Sequence, residues 1–231
     1  MRKLILIVAL IFTGATAWAL HSGYQTTDLT LTSPPDTQSG VFTTDSNNLL
    51  YFGHATARKM GGLDKSANRN PNSRLSGRGA SSEIWKYDVD GGTFTLFYTS
   101  PGGLTSINSV SGIWIDETTT PWTYYIADQQ PDPANPFTTG AVWIAQDLTG
   151  DGDILDGGDR VELYTTDISV LVYISGIIRD DVTGEIYVTN AEGTLGNPMV
   201  YRLSDDNING YIESGEMYAY YNLENSFAFA G

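Results

Sequence analysis

Hydrophobic residues along the chain fall in short runs that are separated by polar, turn-rich loops. Thr, Tyr, Gly and Asn are abundant, and no long segment shows the 3.6-residue period of an amphipathic helix. β-Branched and aromatic residues favour strands, whereas Gly and Asn favour the turns between them. The pattern therefore predicts an all-β fold built from short strands.

Two kinds of strand–loop–strand unit recur along the chain. One kind covers 81–100, 140–166 and 198–222, and its aromatic marker residues Trp85, Trp143 and Tyr201 are spaced by 58 residues. The other kind precedes it, begins with Gly and carries Tyr in its second strand. Its copies are 40–54, 112–128 and 176–190, with Gly40, Gly112 and Gly176 at the start and Tyr51, Tyr125 and Tyr187 inside. Each pair of units contains four short strands, which is the content of a propeller blade.

The repeats predict a β-propeller-like fold with about three recognisable four-stranded blades. We assign residues 1–19 to a signal peptide, 20–39 to an N-terminal segment and 40–231 to propeller-like repeats. The blades cover 40–100, 112–166 and 176–222, and another begins at 226–231. Since propellers typically close with roughly four to eight blades, two explanations are open. The chain is a truncated piece of a longer propeller, or residues 24–32 supply strands for an incomplete fourth blade.

The units that begin with Gly resemble those of β-propeller families of the NHL and gluconolactonase kind. The matching residues are Gly112-Ile113 with YIAD at 125–128, and Gly176-Ile177 with YVTN at 187–190. The first repeat departs from this pattern and ends in YFGH at 51–54. The resemblance implies a propeller fold over about residues 40–222. Gluconolactonase-type propellers hold a central metal with Glu, Asn and Asp. Asn108, Asp128 and Asn190 are candidate ligands for such a metal here, but they cannot be assigned residue by residue to the family's ligands.

The N-terminus has the pattern of a secretory signal peptide. Arg2 and Lys3 precede an apolar run at 4–12, and small-residue cleavage motifs end at Ala17 and Ala19. The apolar run is shorter than the roughly 20 residues that span a bilayer. We therefore predict a secreted or extracytoplasmic protein without a membrane span.

Composition narrows the possible partners. The chain has no cysteine, so neither disulfides nor thiolate chemistry is available to it. Its formal net charge is −15, which argues against nucleic acid and anionic membranes as partners and suits cation binding.

The clearest chemical signal is the segment 205–216, DDNINGYIESGE, which matches the pattern of an EF-hand calcium loop. Ca²⁺ takes roughly six to eight oxygen ligands, and alternate residues of a tight loop can direct theirs inward. Gly210 permits the sharp turn at the sixth position, and Ile212 is the aliphatic residue at the eighth. The predicted ligands are Asp205, Asn207, Asn209, the carbonyl of Tyr211, Glu213 through water, and both carboxylate oxygens of Glu216. The alternative is a polar hairpin turn with Asn-Gly at its tip.

A related segment at 147–159 occupies the same place in the preceding repeat. We call it the first acidic loop, and 205–216 the second acidic loop. The predicted ligands in the first loop are Asp147, Thr149, Asp151, Asp153 and Asp159. Its closing carboxylate falls one residue late, at Asp159, and its five aspartates repel one another unless a cation is present. The two loops begin 58 residues apart. Their chemistry is EF-hand-like, but strands rather than helices are expected on both sides of each loop. The alternative interpretation of 147–159 is a solvated acidic turn.

No convincing catalytic constellation is present, because the chain has only His21 and His54 and no GxSxG motif. We therefore expect a secreted calcium-binding protein that acts as a binding or scaffold module for a protein or carbohydrate ligand, with calcium in a structural role. Two alternatives are open. One is an extracytoplasmic metal-dependent hydrolase or lactonase on the same fold, and the other is a structural surface protein that self-associates through open sheet edges.

Overall fold

The computed structural model describes residues 38–56, 81–100, 106–129, 131, 139–172, 174–190 and 199–222. No residue in these ranges belongs to an α-helix, and one short 3₁₀ turn covers Ser214–Glu216. The strands are Gln38–Thr44 (β1), Leu49–Thr56 (β2), Ser81–Asp88 (β3), Thr93–Thr99 (β4), Val110–Asp116 (β5), Thr123–Asp128 (β6), Ala141–Gln146 (β7), Arg160–Leu163 (β8), Ile174–Arg179 (β9), Ile186–Asn190 (β10), Met199–Leu203 (β11) and Met217–Asn222 (β12).

The strands form three antiparallel sheets of four strands, and within each sheet every strand pairs with the next one along the chain. The first sheet contains β1 to β4, the second β5 to β8 and the third β9 to β12. The predicted all-β, propeller-like fold with three four-stranded units is therefore confirmed. Each sheet begins two residues before the Gly that marks its repeat in the sequence.

Two glycines mark places where neighbouring sheets approach closely. A Cβ atom on Gly112 would lie 2.8 Å from Cγ2 of Ile177, which belongs to β9 of the third sheet. In the same way, a Cβ atom on Gly53 would lie 2.8 Å from Cβ of Val110 in β5. β5 lies beside β1 and β2 of the first sheet and beside β9 of the third. Because Gly53 on β2 and Gly112 on β5 have no side chain, the strands can approach this closely.

The hydrophobic core is divided between two interfaces. At the sheet 1–2 interface, Tyr51 and Phe97 of the first sheet pack in one cluster with Trp143 of the second. At the sheet 2–3 interface, Val142 of the second sheet packs in another cluster with Val188 of the third. All six residues of β6 are buried, because the second sheet is covered on both faces.

Several predictions from the sequence lie outside the described residues. These are the signal peptide at 1–19, the possible strands at 24–32 and the start of another blade at 226–231. All described residues belong to one unit of the chain, Pro35–Gly231. Within the described part of the chain, no helix has the length and hydrophobicity needed to cross a membrane.

Candidate metal sites in two acidic loops

Both acidic loops connect the third and fourth strands of a sheet. The first lies between β7 and β8 of the second sheet, and the second lies between β11 and β12 of the third sheet. The equivalent connection in the first sheet is the short turn between β3 and β4, in which Gly92 N–H donates to the Asp88 carbonyl at 2.8 Å. Acidic loops of this length therefore occur in two of the three sheets.

Asp205, at the first position, organises the second acidic loop. Its Oδ2 accepts a hydrogen bond from Gly210 N–H at 2.8 Å, and its Oδ1 accepts one from Asn209 N–H at 3.0 Å. Oδ1 of Asn207 accepts a further bond from Asn209 N–H at 3.0 Å, and Oδ1 of Asn209 accepts one from Tyr211 N–H at 2.9 Å. The side-chain oxygens of the first, third and fifth positions are thus turned towards the loop's own backbone.

Glu216 closes this loop from its other end. One carboxylate oxygen accepts Asn207 N–H at 3.1 Å, and the other accepts Glu213 N–H at 2.9 Å. The Glu213 carboxylate lies beside the loop and accepts from Nδ2 of Asn209 at 3.2 Å. Glu216 is only 7% exposed and ends the 3₁₀ turn directly before β12. Its carboxylate therefore joins the beginning of the loop to its end.

The first acidic loop repeats this arrangement with different residues. Oδ2 of Asp147 accepts Gly152 N–H at 2.8 Å, which is the contact that Asp205 makes with Gly210. Oδ1 of Asp159 accepts a hydrogen bond from Thr149 N–H, at the third position, at 3.2 Å. In the second loop, the Glu216 carboxylate accepts the equivalent bond from Asn207 N–H. Asp159 therefore takes the place of Glu216, although it comes one residue later and its side chain is one methylene shorter.

The backbones of the loops also agree. At the sixth position, Gly152 has φ +96° and Gly210 has φ +84°, a region in which a Cβ atom is strained. At the fourth position, Gly150 has φ +77° and Ile208 has φ +59°. A β-branched residue rarely adopts this conformation, so Ile208 is held there by the loop around it.

Carboxylates crowd together in the first acidic loop. One oxygen from each of Asp151, Asp153 and Asp159 lies within 4.8 Å of the others, a grouping that could hold a metal ion. The negative charge of Asp151 is the main cause that raises the pKa of Asp156 above its ordinary value. Three of the five predicted ligands are thus brought together, and the Thr149 hydroxyl donates to Asp147 at 3.4 Å.

Lys86 is a neighbour of the first acidic loop that the sequence did not reveal. It lies on β3 of the first sheet, its ammonium donates to the Gly152 carbonyl, and it sits 5.2 Å from the centre of the Phe97 ring. Burial lowers the pKa of Lys86, and the charges of Asp153 and Asp147 oppose that shift. No local spacing connects Lys86 with a loop more than 60 residues away, so no sequence signal pointed to it.

A cavity of about 350 Å³ opens beside Lys86 at the sheet 1–2 interface. Its walls are mainly aromatic and apolar, with Asp147 and the backbone of the first acidic loop at one edge. The hydroxyl groups of Tyr51 and Tyr124 lie 3.4 Å apart within this wall, and both side chains are buried. The lining side chains from the two sheets include Leu49, Tyr51, Lys86, Pro121, Trp122 and Tyr124.

Two of the residues considered for a central metal, Asp128 and Asn190, make hydrogen bonds that hold backbone segments in place. Asp128 is fully buried, and its carboxylate accepts the backbone N–H groups of Asn108 at 2.9 Å and Ser109 at 2.8 Å. It also accepts the indole N–H of Trp143 at 3.2 Å. Oδ1 of Asn190, at the equivalent strand end, accepts Val172 N–H at 3.0 Å. Both side chains fix the segment that leads into the first strand of their own sheet.

Comparison with known proteins does not assign a function to the chain, so the function is inferred from the geometry of the two loops. No family model matches the chain, and a search of curated proteins found no significantly similar sequence.

Proposed function

We propose that this protein is a secreted calcium-binding protein of propeller-like fold that acts as a binding or scaffold module, with calcium in a structural role. The observation that carries the proposal is the shared geometry of the two acidic loops. In each loop, the carboxylate at the first position accepts a hydrogen bond from the N–H of the sixth residue, and the closing carboxylate accepts one from the N–H of the third residue. The two loops differ in sequence but have the same arrangement at the same place in the second and third sheets.

The donor set suits calcium. It consists of carboxylate, amide and backbone carbonyl oxygens, which are the ligands that Ca²⁺ takes in flexible shells. In the second loop these are Asp205, Asn207, Asn209, the Tyr211 carbonyl and Glu216, with Glu213 through water. In the first loop they are Asp147, Thr149, Asp151, Asp153 and Asp159. Mg²⁺ demands a tighter octahedral shell and should fit loops of this kind poorly.

A structural role follows from the position of the loops between strands. A ligand that binds only the folded state stabilises it in proportion to the logarithm of its concentration over Kd. Extracellular calcium modules often bind with Kd of roughly 10⁻⁴ to 10⁻³ M, so millimolar calcium would contribute about 0.5 to 1.5 kcal/mol per site. Export, which the N-terminal sequence predicts, would place the protein where calcium reaches these concentrations.

The proposed ligand of the module is a protein or a carbohydrate. The cavity beside Lys86, which is lined by both aromatic and polar residues, is one place where such a ligand could be tested. The Gly-Ile starts and the YIAD and YVTN runs support the proposed likeness to NHL and gluconolactonase-type propellers at the level of the fold.

The test is calcium titration by isothermal calorimetry together with thermal unfolding in calcium, magnesium or chelator. We expect two binding sites, a rise in melting temperature with calcium, and little rise with magnesium. The double variant Asp147→Asn and Asp205→Asn removes the first carboxylate of both loops and is expected to abolish the rise. A wild-type melting curve that does not move when a chelator is added would reject the proposal.

A further inference from the structure

The isoleucine at the eighth position of each acidic loop does not pack within its own sheet alone. Ile154 is 2% exposed and belongs to the core cluster of the sheet 1–2 interface, with Tyr51 and Phe97 of the first sheet. Ile212 is 1% exposed and belongs to the cluster of the sheet 2–3 interface, with Val142 of the second sheet. Each loop therefore reaches back to the preceding sheet.

Backbone hydrogen bonds follow the same path. Ile154 N–H donates to the Phe97 carbonyl at 3.0 Å, and Ile212 N–H donates to the Tyr164 carbonyl at 2.8 Å. Thr166 adds two bonds at the second interface, from its N–H at 2.9 Å and its hydroxyl at 3.2 Å, both to the Ile212 carbonyl. These bonds join segments that belong to different sheets.

The two acceptors occupy equivalent bulges in the outer strand of the preceding sheet. The pairing of β3 with β4 skips Phe97, because Ile84 pairs with Tyr98 and Trp85 with Leu96. At the end of β8, the N–H groups of Tyr164 and Thr165 both donate to the Val142 carbonyl. A bulged residue is left out of the ladder, so its carbonyl is available to a loop from the next sheet.

One peptide group connects the proposed ion with each interface. In the second loop, the Tyr211 carbonyl is a proposed calcium ligand, and the N–H of the same peptide group belongs to Ile212. In the first loop, the corresponding peptide group joins Asp153 to Ile154. A cation on the carbonyl oxygen polarises the peptide group and makes its N–H a stronger donor, since chains of hydrogen-bonding groups polarise one another.

We propose that calcium fastens neighbouring sheets together, with each acidic loop acting as an ion-dependent latch on the sheet before it. The inference rests on the proposed calcium binding and adds to it the structural element that the ion controls. An ion that only held the β11–β12 hairpin in register would leave the sheet 2–3 interface unchanged. An ion that sets the latch stabilises the bonds between Ile212 and the 164–166 segment as well.

The experiment is residue-resolved hydrogen exchange by NMR on the full chain, with saturating calcium and with chelator. The reporters of the interfaces are the amides of Ile154, Ile212 and Thr166. The reporter of the hairpin is the amide of Ser204, which donates to the Glu216 carbonyl at 3.2 Å within the third sheet. We expect calcium to slow exchange at all three interface amides by about tenfold or more.

Glu216→Gln provides the internal control, since it weakens the ion site of the second loop and leaves the first loop intact. Calcium should then fail to slow exchange at Ile212 and Thr166 but should still slow it at Ile154. If calcium binds by calorimetry and slows exchange only at Ser204, the latch is wrong while the proposed function stands. If calorimetry detects no calcium binding, both fail.

A second variant separates the latch from the ligands. Ile212→Ala keeps every proposed ligand and the backbone groups of the latch but removes the side chain that packs at the sheet 2–3 interface. Calcium should still bind, but it should slow exchange at Thr166 several-fold less than in the wild type. Ile208→Ala is the matched control, because Ile208 lies in the same loop and is 88% exposed. Should Ile212→Ala fail to fold, the comparison of wild type with Glu216→Gln decides the matter. Calcium-dependent slowing at Thr166 that is as large in a folded Ile212→Ala protein as in the wild type would overturn the proposal.

Discussion

The first acidic loop carries five aspartates in thirteen residues, whereas the second has asparagine at its third and fifth positions. Both nevertheless place their first and closing carboxylates on equivalent backbone N–H groups. The difference lies in the charge that must be balanced when no ion is bound. Amide oxygens coordinate calcium without adding negative charge, so the second loop meets less repulsion than the first.

The loops also differ in their neighbours. The first has the ammonium of Lys86 on its Gly152 carbonyl, supplied by the preceding sheet. In the second, Asp206 accepts hydrogen bonds from the hydroxyls of Tyr218 and Ser204, which lower its pKa. The first loop therefore has a lysine of the preceding sheet in hydrogen-bond contact with its backbone. In the second loop, Arg202 of the same sheet lies over the Tyr218 ring, and its charge adds a smaller contribution that lowers the pKa of Asp206. The predictions below test how far the loops are equivalent.

The largest effect is expected from the buried isoleucines. Ile212→Ala and Ile154→Ala should each lower the free energy of unfolding by about 3 kcal/mol, because a large side chain is removed from a packed interface. Urea unfolding followed by circular dichroism measures the loss. Leu155→Ala and Ile208→Ala are controls, since both side chains are more than 40% exposed. Losses of the same size in the controls would show that the loops do not depend on the interface contacts.

A smaller effect is expected from the closing carboxylates. Glu216→Gln should remove about 1 kcal/mol of calcium-dependent stabilisation, and Asp159→Asn should remove less, because only Glu216 reaches from the expected position with a full-length side chain. The measurement is the melting temperature of each variant with calcium and with chelator. An equal or larger loss for Asp159→Asn would mean that the first loop is the stronger site.

The fourth position separates the loops by backbone strain. Ile208→Asn should stabilise the protein by about 0.5 to 1 kcal/mol, since asparagine tolerates positive φ and the isoleucine side chain is exposed. Gly150→Ala should destabilise it by about 1 kcal/mol, because a Cβ atom there has free space but a strained backbone. Chemical unfolding with chelator present measures both. Opposite signs are expected, and a loss for Ile208→Asn would contradict the strain.

The smallest effect is expected from Lys86. Lys86→Met keeps an apolar stem beside Phe97 but removes the charge. With chelator present, this should lower the free energy of unfolding by about 0.5 kcal/mol. Calcium affinity of the first loop should rise roughly two- to fivefold, because no fixed cation then opposes the ion. Calorimetry of the variant in an Asp205→Asn background isolates that loop. Unchanged or weaker affinity would show that Lys86 does not compete with calcium.

Local patterns in the sequence determined the class of fold and the position of the loops. Strands and turns depend on neighbouring residues, and the 58-residue spacing shows that the same local pattern recurs, so the three four-stranded units could be predicted. The spacing of oxygen-bearing residues around Gly210 likewise depends only on a short segment. Calcium binding, secretion and the partner of the module remain predictions from the sequence.

Only the tertiary structure decided how the loops meet the rest of the protein. It brought Lys86 to the first loop and set Ile154 and Ile212 against the preceding sheet. It also gave Asp128 a buried role as an acceptor for the backbone and for Trp143. Most of these contacts join residues far apart in the chain, and their partners are fixed by the packing of one sheet on another, which no local pattern encodes.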